Sequence, residues 1–298
     1  MTQTDQRVVA RPRRSGLIGW GIGYSLSPQL HQAEAAALGL DLSYDIFDVR
    51  ELGIDDEAVG SLMLDLRDEG VAGYNVTYPY KRIAFETVAV ADDLSSALEA
   101  VNTVVFDEDG AAHGYNTDAG GFGAGLDEVL TAEDYGHVIQ FGAGGAGSAT
   151  AYAVLRRGAS QLTIVDPNTD RASHLIRQLA PLFPTARIDS ATSDDLGSVL
   201  PTVAGVVNAS PVGSVNSPGS VLTKDQLKPS MWVADVVYRP LRTKLIELAE
   251  SQGSRVVDGG RMFVHQAAMA FELINDLPAD TDRMRAHFVR LINDLEGH

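Results

Sequence analysis

Lys81 is the only lysine in the first 223 residues; the others are Lys224, Lys228 and Lys244, and the rest of the 23 basic residues are arginine. Lysine carries an amine that can take up and release a proton, which the guanidinium of arginine does not do in proteins. Lys81 closes the run Asn75-Val76-Thr77-Tyr78-Pro79-Tyr80-Lys81, where an apolar strand stops at Pro79 and the chain re-enters helix. By position alone, such a lysine reads as a solvated surface charge. Three further polar clusters also sit at element ends. Ser25-Leu26-Ser27-Pro28 places two hydroxyls and free N–H groups at a helix start, a receptor for a small carboxylate. Plain N-capping accounts for Ser27 and leaves Ser25 unexplained. Asn102 lies two residues into a strand that begins at Ala100, and Asn116-Thr117-Asp118 reads as a helix cap.

A second constellation is Gly142-Ala143-Gly144-Gly145-Ala146-Gly147, which fits G-x-G-x-x-G. It follows the apolar strand HVIQF, opens a helix, and precedes a second strand that ends at Asp166, 24 positions after Gly142. Gly142 permits the tight turn, Gly144 lets the backbone approach a pyrophosphate, and Gly147 allows close packing of helix on strand. The phosphates then meet free N–H groups, those of Gly145 and Ala146 included, at the positive end of the helix. This context predicts a dinucleotide site. An acid at the end of the second strand accepts from ribose hydroxyls and repels a 2′-phosphate, so Asp166 favours NAD, with NADP still open. Arg171 has two readings, facing a 2′-phosphate or lying against adenine. The run GGFGAG at 120–125 has no strand feeding it and fails the same test.

The elements that must hold these groups alternate in a βαβ manner from about residue 16. Strands are expected at 16–22, 43–49, 71–77, 100–106 and 111–116, the last two forming a hairpin. Further strands are expected at 137–141, 161–166, 186–188, 204–210, 231–237 and 255–258. A helix opens with Ser27 as N-cap and closes at Gly39, and two amphipathic helices end the chain near 262–275 and 281–295. The glycine-laden segment from 118 is predicted to be helical. Glycine there costs about 1 kcal/mol per residue relative to alanine, so close packing or a hinge must require it. The fold class is α/β: an α/β substrate domain and a Rossmann-like doubly wound NAD(P)-binding domain with a cleft between them. The chain crosses near 118 and returns near 260. Residues 15–118 plus 261–298 then form the substrate-binding domain, 119–260 the dinucleotide-binding domain, and 1–14 a solvated tail.

The chain has 298 residues, 40 Asp and Glu against 23 Lys and Arg, and a net charge of −17. That balance argues against nucleic-acid or anionic-membrane partners, which require a basic surface. With no cysteine, disulfides, thiolate catalysis and Cys-based metal sites are excluded. No apolar run approaches the ~18 residues of a membrane span. The start of the chain lacks a signal-peptide cleavage pattern, so a cytoplasmic location is expected. The seven histidines have no metal-ligand spacing, and no metal is expected.

Taken together, YSLSP (24–28), NVTYPYK (75–81), AVNTV (100–104), NTDAGGF (116–122), GAGGAG (142–147), NASPVG (208–213), DVVYRP (235–240) and HQAAMAFEL (265–273) resemble the shikimate and quinate dehydrogenases. The motifs are collinear and span about 16–290. The resemblance implies reversible NAD(P)-dependent oxidation of a ring hydroxyl of a cyclic hydroxy acid, shikimate giving 3-dehydroshikimate, by a monomer or homodimer. It implies that Ser25 and Ser27 hold the substrate carboxylate, and that Thr77, Asn102, Asp118 and Gln266 bind ring hydroxyls. Tyr238 would stand near the carboxylate or the nicotinamide. Lys81 and Asp118 would form the catalytic pair. Asp166 and Arg171 would meet the adenosine ribose, with Ser210, Val236 and Gly259 at the nicotinamide end.

Alcohol oxidation requires the hydroxyl proton to leave, and ketone reduction requires it to return. An ammonium at Lys81 suits reduction and a free amine suits oxidation, so oxidation is expected to run faster at alkaline pH. Many biosynthetic members carry an N-R-T run after the second Rossmann strand, whereas this chain reads VDPNTDR. That departure, with the NVTYPYK and DVVYRP variants, resembles the NAD-using quinate/shikimate branch, which fits a role in quinate catabolism and leaves aromatic amino acid biosynthesis open. The alternatives are an aminoshikimate-type substrate, another two-domain NAD(P) dehydrogenase, and a non-catalytic quinate or shikimate sensor. Loss of Lys81 or Asp118 would favour the sensor, and both are present.

Overall fold

The computed structural model describes residues 13–90 and 92–297, so residues 1–12 of the expected tail lie outside the described residues. Arg13 and Arg14 are not tail. They open the first strand, where Arg14 pairs with Asp45 at 3.0 Å and Arg13 donates to the Asn275 carbonyl at 2.5 Å. The first sheet is built from β1 (Arg13–Gly19), β2 (Leu42–Asp48), β3 (Val71–Val76), β4 (Ala89–Val90), β5 (Thr103–Phe106) and β6 (Ala112–Tyr115) in the order β2-β1-β3-β5-β6-β4. β1 is parallel to both neighbours, and β3-β5-β6 is antiparallel, with the expected hairpin at its end. Its helices are α1 (Ser27–Ala37), α2 (Val49–Leu52), α3 (Val59–Asp68), α4 (Lys81–Thr87) and α5 (Asp93–Leu98). Ile18, Tyr74 and Val104 pack with Met63 and Leu66 of α3 on one face.

The start of α1 corrects the expected cap. Leu26, not Ser27, is the N-cap residue, and its side chain makes no cap bond. Pro28 fixes the first turn, and the Ser27 N–H donates to Ser25 Oγ at 3.2 Å. Ser25 therefore does the local work assigned to Ser27, and the Ser27 hydroxyl is left off that task.

α6 (Thr117–Asp127) carries the chain to the second sheet. Its glycines answer to close packing: a Cβ on Gly121 would stand 2.6 Å from the backbone nitrogen of Gln266. The second sheet contains β7 (His137–Phe141), β8 (Gln161–Val165), β9 (Arg187–Ser190), β10 (Val203–Asn208), β11 (Trp232–Asp235) and β12 (Arg255–Val257). All are parallel, in the order β12-β11-β10-β7-β8-β9. Read from β9, that is the 3-2-1-4-5-6 order of the doubly wound dinucleotide fold, whose switch point lies between β7 and β10. α7 (Gly145–Arg156), α8 (Thr169–Leu179), α9 (Leu196–Val199) and α10 (Lys244–Ser251) flank it. α7 begins inside the glycine run at Gly145, so Gly142 and Gly144 form the turn and N-cap while Gly145 and Gly147 lie in the first turn of the helix. Ala149, Val154 and Leu162 fill the core on one face, and Ile139, Val206 and Val233 fill it on the other.

α11 (Gly259–Asn275) returns to the first sheet, and α12 (Thr281–Glu296) closes its outer side. There α1 meets α11 and α12 through Leu30, Phe263, Ala267 and Phe288. No helix among the described residues is long and apolar enough to cross a membrane.

His31, one turn after Ser27, is buried with its ring 4.6 Å from that of Tyr44. Its Nδ1 has no hydrogen-bond partner among the described residues. Burial pushes the imidazole down to about 3 from 6.5, so the native state holds it neutral. The unfolded chain binds this proton as pH falls below 6.5, and native stability then drops until about pH 3. His31→Leu is expected to remove a penalty of up to about 5 kcal/mol. The acid-unfolding midpoint should move to lower pH, as followed by circular dichroism, and an unmoved midpoint would refute this assignment.

Candidate active site

A cavity of about 530 Å³ opens between the two sheets. From the first sheet it is lined by Ser25 and Ser27 at the start of α1, Thr77 after β3, Lys81 opening α4, Asn102 before β5 and Asp118 in α6. From the second sheet come Ala146 of α7, Ser210 after β10, and Val236 and Tyr238 after β11. Gly259 and Gln266 of α11 complete the wall. These clusters, scattered along the sequence from Ser25 to Gln266, converge because β3, β6, β7, β10 and β11 end toward one cleft and the antiparallel β5 begins there.

Lys81 Nζ donates to Asp118 Oδ2 at 2.5 Å, with side chains only 16% and 8% exposed. Lys81 opens α4, where the helix dipole opposes a cation, so the carboxylate holds the ammonium in place. Asp118 sits in the first turn of α6, where that dipole favours an anion, and Asn116 caps the helix by accepting from the Ala119 N–H at 3.3 Å. The Lys81 stem reaches across the cleft to the glycine loop. A Cβ on Gly145 would lie 3.5 Å from Lys81 Cδ.

A buried polar chain supports the first-sheet wall. Tyr44 Oη donates to Asn75 Oδ1 at 2.8 Å, and Asn75 Nδ2 donates to Thr103 Oγ1 at 3.0 Å. Asn102 Nδ2 donates to Thr117 Oγ1 at 2.9 Å, and Asn102 Oδ1 accepts the Thr117 N–H at 2.7 Å. Asn102 therefore helps to hold the segment that carries Asp118, and one of its two Nδ2–H groups is left for other partners. The loop before Ser25 is fixed by Asp48, which accepts the Gly21 and Ile22 N–H groups at 2.8 and 2.7 Å. Burial alone would raise the Asp48 carboxyl, but these backbone donors and that of Arg50 outweigh it and hold the carboxyl below its usual range.

The second-sheet wall has its own anchor. Asp235 accepts from Asn208 Nδ2, the Val237 N–H and Thr243 Oγ1, and Asn208 in turn accepts from Ser210 Oγ at 2.6 Å. Burial pushes Asp235 up to about 6, tempered by these three donors. Tyr238 stacks on Phe263, with ring centroids 4.5 Å apart.

Gly142, Gly144, Gly145 and Gly147 lie outside the cavity wall, at the mouth of β7 and the start of α7. Gly142 has φ +100°. A Cβ on Gly147 would stand 2.4 Å from the Gly142 carbonyl oxygen, so the loop is a cradle that a side chain would fill. Gly144 is the N-cap of α7 and no side chain caps the helix, which leaves its first-turn N–H groups free for phosphate. These features fit a dinucleotide. Asp166 accepts the Ala143 N–H at 2.7 Å and the Asn168 N–H at 2.8 Å, tying it to the same loop, and a carboxylate keeps lone pairs for a ribose hydroxyl. Arg171 is exposed in the first turn of α8. Among the described residues no cluster of His, Asp or Glu is arranged to hold a metal ion.

Sequence reasoning missed Asn75, Tyr24 and Arg239, all in the cavity wall. All three were in the quoted motifs, but nothing in sequence separates Tyr24, Asn75 and Arg239 from a loop aromatic, a strand amide and a surface cation.

Two family models match the chain: the shikimate dehydrogenase substrate binding domain over residues 17–104, and the saccharopine dehydrogenase NADP binding domain over residues 138–217. The chain is 41% identical to a shikimate dehydrogenase (NADP(+)) of Pseudarthrobacter chlorophenolicus, over 93% of this chain and 94% of that enzyme. It is 37% identical to a quinate/shikimate dehydrogenase (NAD(+)) of Corynebacterium efficiens, over 93% and 97%. Among solved structures, the quinate dehydrogenase of Corynebacterium glutamicum in complex with NAD superimposes with a TM-score of 0.85 at 35% identity, covering 94% of this chain and 99% of that one.

Proposed function

This chain belongs to the shikimate dehydrogenase family, and on that footing we propose that it catalyses the reversible NAD(P)-dependent oxidation of a ring hydroxyl of shikimate, quinate or both to the 3-dehydro acid. The observation that carries this reading is the Lys81–Asp118 pair, at 2.5 Å and largely buried in a cavity walled by both sheets. A bound nicotinamide would supply the hydride acceptor for oxidation and the hydride donor for reduction. Lys81 takes the hydroxyl proton during oxidation and gives it back during reduction, while Asp118 fixes the amine in line with the hydroxyl. Ser25 and Ser27 receive the ring carboxylate, and Thr77, Asn102, Asp118 and Gln266 orient the ring hydroxyls. Tyr238 borders the ring, and Ser210, Val236 and Gly259 border the nicotinamide. On this reading residues 15–118 with 261–298 form the substrate-binding unit, and 119–260 form the dinucleotide-binding unit. The test is product analysis: shikimate or quinate incubated with NAD and the enzyme should yield an acid lighter by two hydrogens. Recovery of unchanged acid would reject the proposal.

NAD is proposed as the preferred cofactor. The family includes NADP(+) and NAD(+) enzymes, so the choice rests on this chain's own residues. Asp166, tied to the glycine loop, puts a negative charge where a 2′-phosphate would approach. Asp166→Asn should raise the NADP-to-NAD ratio of kcat/KM about tenfold, equivalent to roughly 1.4 kcal/mol between partly solvated charges. An unchanged ratio would remove Asp166 from cofactor choice.

A further inference from the structure

The cavity wall contains two cations, Lys81 and Arg239. Lys81 is neutralised by Asp118 at 2.5 Å, whereas Arg239 makes no ion pair among the described residues. Arg239 sits in the loop after β11 and reaches across the cleft to the first sheet. Its Nη1 donates to the Tyr24 carbonyl at 2.8 Å, and its guanidinium lies 5.6 Å from the centroid of the Tyr24 ring. That carbonyl belongs to the peptide group whose nitrogen is that of Ser25, so Arg239 grips the chain one bond from the first of the two serines. From its other side, the Arg239 carbonyl accepts the Val215 N–H at 3.3 Å.

We propose that Arg239 is the counter-charge for the substrate carboxylate and sets the preference of this site for carboxylate-bearing rings. The chain carries −17 overall, so an anionic ring approaches against the mean field of the protein. Serine hydroxyls and a helix N-terminus supply hydrogen bonds and partial charge, but no full positive charge. A guanidinium has five N–H donors. One is spent on Tyr24, and those remaining keep the planar geometry that matches a carboxylate. The cation–π contact with Tyr24, 5.6 Å from guanidinium carbon to ring centroid, keeps the guanidinium at the serine end of the cavity and uses none of its N–H donors.

This inference rests on the cyclic hydroxy acid reading above, and its test separates the two. Arg239→Met and Arg239→Lys would be assayed with NAD against shikimate or quinate, whichever the wild type turns over faster, and against the methyl ester of the same acid. Arg239→Met is expected to raise KM for the acid about 30-fold, with kcat within about threefold and KM for NAD unmoved. The ester should be affected far less, so the acid-to-ester ratio of kcat/KM collapses, and Arg239→Lys should restore part of it. A wild-type ratio in Arg239→Met, or an equal loss on acid and ester, would overturn the assignment, the second result marking a purely structural clasp. Arg239 is only half-buried, and Arg239→Lys keeps the charge should the methionine variant fold poorly. A wild-type enzyme inactive on both acids would instead remove the underlying reading and this inference with it.

Discussion

Lys81→Met lowers kcat for shikimate or quinate oxidation by about a thousandfold, the range of a lost general base, while the dissociation constant for NAD changes by no more than a few fold. Methionine keeps the stem that lies along Gly145 and removes only the amine held by Asp118 at 2.5 Å. The alkaline rise expected in the oxidation rate should be absent from the variant, which has no amine to take the hydroxyl proton. Steady-state rates across pH, with NAD binding followed separately, distinguish this result from a collapse of the cleft. Wild-type turnover in Lys81→Met would end the mechanism. The effect is expected to be large because Lys81 is the only amine among the described residues that line the cavity.

Gly147→Val abolishes useful cofactor binding. The added Cβ would meet the Gly142 carbonyl oxygen at 2.4 Å, and the obstacle is backbone, which cannot swing aside as a side-chain tip can. α7 must then move off β7, and the free N–H groups of its first turn leave the position where they face a pyrophosphate. KM for NAD should rise at least 30-fold, and the native state should lose roughly 1–3 kcal/mol as an overpacked site. Binding of the acid alone, measured by calorimetry, should stay within a few fold, because its proposed partners lie on the first sheet, α11 and the loop after β11 rather than on α7. A wild-type KM for NAD would contradict the loop's assignment.

The parts most legible in sequence were those whose chemistry is local. GAGGAG between HVIQF and a helix specifies the turn, the close approach and the phosphate-facing helix start in one stretch of residues. The strands of the second sheet read as continuous apolar runs because parallel strands are covered on both faces. The glycines of α6 announced an unusual demand, and the approach of Gly121 to Gln266 is the contact that makes it. Local rules failed where a residue's task depends on a distant partner. Ser27 looks like an N-cap because Ser-Pro opens so many helices. In the fold Leu26 takes that place and the Ser25 hydroxyl receives the Ser27 N–H. The first strand begins at Arg13 rather than Gly16, because Arg13 and Arg14 find Asn275 and Asp45 in space. Arg239 carried no sequence signal at all, since its meaning lies in a peptide 215 positions away.

The scarcity of lysine and the net −17 now have a joint physical account. Two anionic ligands are proposed for a strongly acidic chain, and the groups proposed to face them are the α7 N-terminus, Ser25, Ser27 and Arg239, which makes no ion pair among the described residues. In the proposed mechanism Lys81, the one lysine among the described residues that line the cavity, is the group that exchanges the proton.

The central claim is that this cleft oxidises a cyclic hydroxy acid with a nicotinamide cofactor. Initial rates of the wild-type enzyme with shikimate and with quinate, each with NAD and with NADP, at alkaline pH, test it most directly. The account predicts turnover of at least one acid, faster with NAD than with NADP. Failure of all four pairs would contradict it.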